Sequence, residues 1–301
     1  MFDSSDEAYL KLDAAKGSGR RALVAGLGAS GRASLEYLLR RGWRASACDS
    51  RDKVPGLDGF LSAHPGISVS LGGIPESLPE GVDLVVMSPG ISPWFGPAAA
   101  LCLAARKAGV PVAGEIELFA EELAHLRETS GYAPKVIGIT GTNGKTTTTS
   151  LTAKIGEAAG LRTIAAGNIG PNAVTELLKA EDAGELPDLW VLELSSFQLD
   201  TTHTLRCDAA ALLNITEDHI NWHGSMEAYA AAKARIFSPD TVRVGNREDQ
   251  LALEWTKKGL KNPSLLRTFG ASKPARPGEF GLEMAAHASQ GLWLSSMDEM
   301  E

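Results

Sequence analysis

KVIGITGTNGKTT, residues 135–147, runs from a short apolar strand through a glycine-containing turn into threonines that open a helix. A turn of this kind points backbone N–H groups at phosphate, and the helix N-terminus adds partial positive charge. Lys145 stands where it can neutralise outer phosphates, and a threonine hydroxyl beside it can ligate Mg2+. The strict phosphate-loop spacing is not met, since Ile139 occupies the place of the first glycine. The backbone chemistry is retained all the same. Gly141, Thr142, Asn143, Gly144, Lys145, Thr146 and Thr147 are therefore expected to hold ATP.

Downstream, Leu151, Ile155, Ala158 and Ala159 share one face of the following helix, and TIAAG, DLWVLEL and AAALLNI read as buried strands. Glu193 interrupts the second of these near its end, where an unpaired carboxylate is costly. His219, in NITEDH, lies just past the third. Ligands collect at the carboxyl ends of strands in open parallel sheets, which puts Glu193, His219 and the glycine turn on one edge. A carboxylate and an imidazole there could complete a Mg2+ site, with Glu217 and Asp218 as substitutes. A salt-bridged Glu193 and a hydrogen-bonded loop His219 are the plainer readings. Over 225–237 a helix carries Met226, Tyr229, Ala230, Lys233 and Phe237 as one apolar stripe. A lysine on such a face has its charged form disfavoured unless its stem carries the ammonium out to solvent. The last runs, LLRTFG, FGLEMAA and GLWLSS, alternate more and suggest a small antiparallel region.

Upstream, RRALVAGLG ends in glycines, and Leu35, Leu38 and Leu39 mark a helix that stops near Gly42. ASAC is a second short strand ending at Asp49, and VDLVVMSPG is a third, closed by a Pro-Gly turn. Leu101, Ala104, Ala105 and Ala108 stripe another helix, EIELFAEELAHLRE closes the unit, and ETSGYAP links it to the next. This alternation argues for parallel sheets with helices on both faces. Gly26, Gly28 and Gly31 form G-x-G-x-x-G at a strand–helix junction, the context of a dinucleotide fingerprint. The motif does not choose between NAD and another diphosphate-bearing nucleotide, and glycines also serve such turns for packing alone. Residues 1–18 are polar and small and read as a tail.

With 301 residues, 29 Lys and Arg against 37 Asp and Glu, and a net charge of −8, the chain has room for two domains and offers no cationic field for nucleic acid. No apolar run reaches the ~18 residues of a membrane helix. MFDSSDEAYL is acidic where a secretory signal would be basic and then apolar. Cys48, Cys102 and Cys207 are too scattered for a disulfide framework or a paired-cysteine metal site, which favours a reducing cytoplasm.

Taken in order, GITGTNGKTT, GNIG at 167–170, ELSSFQL at 193–199, NITEDH at 214–219 and YAAAKARIF at 229–237 resemble the Mur ligases, over about residues 20–245. The ELSSFQL form with a glycine-loop unit in front is most similar to the branch that adds D-glutamate. The resemblance implies an α/β fold, with a Rossmann-like parallel-sheet domain over 19–130 and a P-loop NTPase-like central domain over 131–301. Since the chain ends at Glu301, the central domain is expected to be partial and the family's third domain absent. The implied activity is ADP-forming ligation of D-glutamate to UDP-N-acetylmuramoyl-L-alanine through an acyl phosphate. It would be carried out by a cytoplasmic monomer using ATP and Mg2+, in peptidoglycan precursor synthesis. UDP contacts would come from Ala29, Ser30, Asp49 with Ser50, Ser88 and Gly90. Asn168, Ser195 and Gln198 would touch the muramoyl portion or phosphates. Thr146 would lie near Mg2+, Glu193 and His219 would bind it, and Lys233 would be carbamylated and stabilise a second metal. Family members commonly read TEDHxD, whereas this chain has Asn221 followed by Trp222.

Three readings stay open on the sequence. One is a ligase of this kind or a piece of one, for D-glutamate or another acceptor. The second is a nucleotide-binding protein without turnover, and the third an oxidoreductase using the first loop. Without an enclosing third domain, the chain is expected to bind the UDP substrate but to ligate poorly.

Overall fold

Each apolar run before residue 240 that reads as a strand is a parallel strand in the computed structural model, which describes residues 12–284 and 292–296. The first sheet holds β1 (Arg21–Ala25), β2 (Arg44–Asp49), β3 (Ser68–Leu71), β4 (Leu84–Met87) and β5 (Val112–Ala113), in spatial order β3-β2-β1-β4-β5. It is accompanied by α1 (Ala29–Arg40), α2 (Leu57–Ala63), α3 (Ala99–Lys107) and α4 (Glu115–Ser130). Neither α2, β3 nor β5 was expected from the sequence. The first two are mostly exposed and the third spans two residues, so none carries a periodic apolar pattern.

The second sheet holds β6 (Lys135–Thr140), β7 (Thr163–Gly167), β8 (Leu189–Glu193), β9 (Ala209–Leu212), β10 (Val242–Asn246), β11 (Leu266–Phe269), β12 (Glu279–Met284) and β13 (Leu292–Ser296). Their order is β13-β12-β11-β10-β9-β6-β8-β7. Between them run α5 (Lys145–Ala158), α6 (Ala173–Ala183), α7 (Ser196–Asp200), α8 (Ile220–His223), α9 (Met226–Ala234) and α10 (Gln250–Lys257). No helix among the described residues is long and apolar enough to cross a membrane.

Three expectations are corrected. The last runs do not form a separate antiparallel region: β11 pairs parallel with β10, β12 parallel with β11, and only β12 with β13 is antiparallel. Alternation reports a face left to solvent, which edge strands of any direction can have. The stripe Leu151, Ile155, Ala158, Ala159 does not face the sheet either. All four are exposed, Ile155 by 61%, and α5 turns Thr149, Ala153 and Gly156 inward instead. The helix lies so close to the sheet that a Cβ on Gly156 would stand 2.6 Å from Leu189 Cδ2, so only small side chains fit beneath it. Residues 12–18 are no loose tail. Leu12 and Ala14 are buried, and Trp43 Nε1 donates to the Ala14 carbonyl at 2.8 Å. Residues 1–11, with Ala285, Ala286 and Gly291 of the last runs, lie outside the described residues.

A single apolar cluster crosses from Val24 and Leu38 through Leu118 and Phe119 of α4 to Val174, Leu177 and Trp190 beside the second sheet. Phe119 meets Trp190 edge-on, with ring centroids 4.9 Å apart. Polar groups of α4 secure the same junction. Glu122 is buried and accepts from Tyr37 Oη at 2.7 Å and Arg41 Nε at 2.8 Å, while Arg41 also reaches Glu181 on α6 at 2.6 Å. Glu117 accepts the backbone N–H groups of His203 and Thr204. Glu115 accepts from Val174 N at 2.8 Å, capping the first turn of α6 from another element.

Glu115 is wholly buried, and burial lifts its pKa from the ordinary 4.5 to about 7. The folded state therefore keeps a proton that the unfolded chain releases near 4.5, and stability falls as pH rises through that window. Glu115→Gln keeps an acceptor oxygen and removes the titration. Its stability relative to wild type should rise by about 3 kcal/mol between pH 4.5 and 7 and then level off. Urea melts across that range measure the difference, and a flat one would contradict the assignment.

Candidate active site

The turn between β6 and α5 is pinned from β9. Asn214 accepts Asn143 N on Oδ1 at 2.8 Å, donates from Nδ2 to Asn143 O at 3.0 Å, and offers its own carbonyl to Thr142 N at 3.0 Å. Gly144, at φ +82°, starts α5, whose first turn has no side-chain cap. The N–H groups of that turn are the ones left to face an anion. Lys145 Nζ folds onto the carbonyls of Gly141 and Thr142, each at 2.9 Å. Thr146 and Thr147 are exposed beside it.

Lys233 does not snorkel. It is 2% exposed, and its Nζ donates to the carbonyl of Gly141 at 2.8 Å, the same oxygen that Lys145 uses. Its ammonium also lies 4.6 Å from the Tyr229 ring centroid, and Tyr229 Oη bonds Thr142 Oγ1 at 3.0 Å. Burial, and then the neighbouring Lys145 charge, pull the Lys233 pKa down to about 7. Two amines converging on one carbonyl create a locus that favours anions.

Parallel register places Glu193 between Ile139 of β6 and Gly167 of β7. The carboxylate is 1% exposed; Oε1 accepts from Asn168 Nδ2 at 2.9 Å, while Oε2 is buried without a hydrogen-bond partner. An orphaned carboxylate oxygen beside a phosphate-type turn suits a divalent cation. Among the described residues no three His, Cys, Asp or Glu side chains gather as a metal cage. Mg2+ does not need one, because it retains waters and takes phosphate oxygens with one or two carboxylates. Gly167 is required here by a close approach: a Cβ would stand 2.3 Å from the Glu193 carbonyl.

His219 sits at φ +54° on the exposed side, paired with Asp218 at 3.2 Å and against Phe197 at 4.6 Å between centroids. The histidine that sequence reasoning missed is His223. It is buried, hydrogen-bonded through Nε2 to Ser196 Oγ at 2.9 Å, and burial holds its pKa down at about 4. Only the apolar flank of Trp222, whose ring lies 4.5 Å from it, hinted at that burial. Asn221 is exposed. Ser195 and Gln198 form a reciprocal capping box on α7, which fixes the chain directly after Glu193.

The first glycine loop lies between β1 and α1. A Cβ on Gly31 would meet the Gly26 carbonyl at 1.8 Å, and Ser88 Oγ donates to that same carbonyl at 2.9 Å. Asp49 accepts Leu27 N at 2.7 Å and is gripped by Arg51 Nε and Nη2 at 2.8 and 2.7 Å. Those Arg51 bonds hold the Asp49 carboxyl well below the usual range. The buried carboxylate fastens the loop, and Arg51 is a member of this edge that the sequence reading did not name. Ala29, Ser50 and Gly90 are exposed around it, and Ser30 is half-buried.

Two family models match the sequence of this chain. The Mur ligase middle domain matches residues 139–296, and the Mur ligase MurD-like N-terminal domain matches 20–114. The chain belongs to the Mur ligase family. Among curated relatives, the UDP-N-acetylmuramoylalanine–D-glutamate ligase of Ralstonia nicotianae is 51% identical over 260 residues, covering 86% of this chain and 51% of that one. The enzyme of the same name from Paraburkholderia phymatum is 51% identical over 262 residues, with the same coverage. The chain thus spans about half the length of the curated relatives it matches. A solved structure, the MurF ligase of Thermotoga maritima in complex with ADP, is 15% identical with a TM-score of 0.46, covering 94% of this chain and 56% of that one.

The Mur ligase first loop depends on the contact between Gly31 and Gly26. Gly31→Ala should lower stability by about 2 kcal/mol, because its Cβ would force the Gly26 carbonyl away. Denaturant unfolding checks this, and a variant that melts like wild type would refute it.

Proposed function

We propose that this protein acts as, or forms part of, an ATP-dependent ligase joining D-glutamate to the alanyl carboxylate of UDP-N-acetylmuramoyl-L-alanine. The observation that carries the reading is the meeting of Lys145 and Lys233 at the Gly141 carbonyl, on the sheet edge that also holds the unpartnered Glu193 oxygen. The names of the 51%-identical relatives support the acceptor and the sugar nucleotide. We divide the chain accordingly into a UDP-substrate unit over 19–130 and an ATP unit over 131–301. It would work as a cytoplasmic monomer in peptidoglycan precursor synthesis.

In this reading the α5 amides and Lys145 bind the outer phosphates of ATP, with Thr142, Asn143 and Thr147 shaping the turn. Glu193, His219, Thr146 and a carbamylated Lys233 would hold Mg2+, which supplies charge neutralisation for two anionic partners. An alanyl carboxylate oxygen attacks the γ-phosphorus as the bond to the β–γ bridging oxygen breaks, releasing ADP. The glutamate amine then attacks the acyl carbon and loses a proton, and inorganic phosphate departs. Asn168, Ser195 and Gln198 would position the muramoyl end, while Ala29, Ser30, Asp49, Ser50, Ser88 and Gly90 would hold UDP. Lys233 is suited to carbamylation because only the neutral amine attacks CO2, and a pKa near 7 leaves much of it neutral at neutral pH.

Lys145→Ala should abolish ATP binding and leave affinity for UDP-N-acetylmuramoyl-L-alanine within about twofold of wild type by calorimetry, since the two loops lie on different sheets. Equal loss of both would contradict the two-site division, and a wild type that ignores the UDP ligand would sink the substrate assignment. For Lys233, a carbamate signal should appear in the 13C spectrum under 13CO2 and be missing from Lys233→Ala. Identical spectra would leave an unmodified lysine.

A further inference from the structure

Asn172 occupies the N-cap of α6, where an asparagine side chain ordinarily accepts from its own helix, yet it caps nothing. Its helix is served instead by Glu115, whose Oε1 accepts Val174 N at 2.8 Å. The amide is thereby released to cross between the two sheets, and Nδ2 donates to Ser30 Oγ at 3.0 Å. Ser30 lies in the first turn of α1, which has no acidic residue and no side-chain cap of its own. The loop that delivers Asn172 is stiff. Gly167 takes φ +117°, Gly167 N closes onto the Pro171 carbonyl at 3.1 Å, and Asn168 holds Glu193 through both its backbone and its side chain.

We infer that Asn172 is a positioning residue for a nucleoside diphosphate at the first loop, acting through the Ser30 hydroxyl. A hydroxyl that receives an N–H on its oxygen keeps its own proton to donate elsewhere. At the start of α1 that proton points with the backbone N–H groups toward bound phosphate, and the bond becomes charge-assisted when the phosphate arrives. Because the amide comes from α6, the diphosphate is gripped by a rotor whose orientation the second sheet sets. Pre-setting it avoids the cost of ordering it on binding. The inference rests on the proposed reading of the first loop as a UDP site.

Calorimetric titration of the full 301-residue chain with UDP and with uridine tests it. Asn172→Ala should weaken UDP binding about tenfold, the size of one charge-assisted bond, and leave uridine affinity unchanged. In a Ser30→Ala background the same substitution should have no further effect on UDP. Asn172→Ser, which keeps a residue type favoured at N-caps but is too short to reach Ser30, should show the UDP loss with a melting temperature no lower than wild type. Unchanged UDP affinity in Asn172→Ser, equal losses for UDP and uridine, or additive losses with Ser30→Ala would each overturn the inference. A folded wild type that binds neither UDP nor uridine would instead overturn the reading of the loop itself.

Discussion

Burying Glu115 against the first turn of α6 is the contact on which the arrangement of both glycine loops depends. Carrying a carboxyl group wholly out of water is costly, and here it is offset by satisfying helix N–H groups that would otherwise be orphaned. With that end of α6 capped from α4, the helix is fixed against the first sheet. Arg41 adds a second tie by bridging Glu122 and Glu181. The loop before α6 is then held at both ends, with Asn168 on Glu193 and Asn172 on Ser30. One buried acid thus helps to fix the two glycine loops relative to one another.

The charge arrangement at the second loop follows the same economy. Lys145 and Lys233 share a carbonyl, and Glu193 on the same sheet edge leaves one oxygen without a partner. Neither group is well satisfied by the protein alone. A polyphosphate with its cation would relieve both, neutralising Lys145 and occupying the spare carboxylate oxygen. Lys233 is the more extreme case, since burial has already brought its amine close to losing its proton at neutral pH. His223, buried at the end of α8, adds an uncharged imidazole and no further cation.

Much of this was legible in the chain. The strands β1, β2, β4 and β6–β9 announced themselves as short apolar runs, most of them closed by glycine or an acid, because strands covered on both faces need apolar residues throughout. Glu193 stood out for the converse reason, as a carboxylate inside such a run. The face of α5 was misread because the helix approaches the sheet through Gly156 and Ala153, and small residues carry little hydrophobic signal. The glutamates of α4 were invisible as buried groups, since their partners lie in elements up to 87 residues away.

Local pattern by itself determined the parallel α/β class, the two glycine turns and the identity of Lys145, Glu193 and Lys233 as residues out of keeping with their surroundings. These depend on spacing along one element, where periodicity and turn chemistry act over a few residues. Only the tertiary structure decided that Lys233 reaches inward to the Gly141 carbonyl. It alone also joined β11 and β12 to the second sheet and released Asn172 from its own helix to meet Ser30. Each of these is a choice among several partners a polar group could satisfy, and that choice is made by which elements the core brings within about 3 Å of one another.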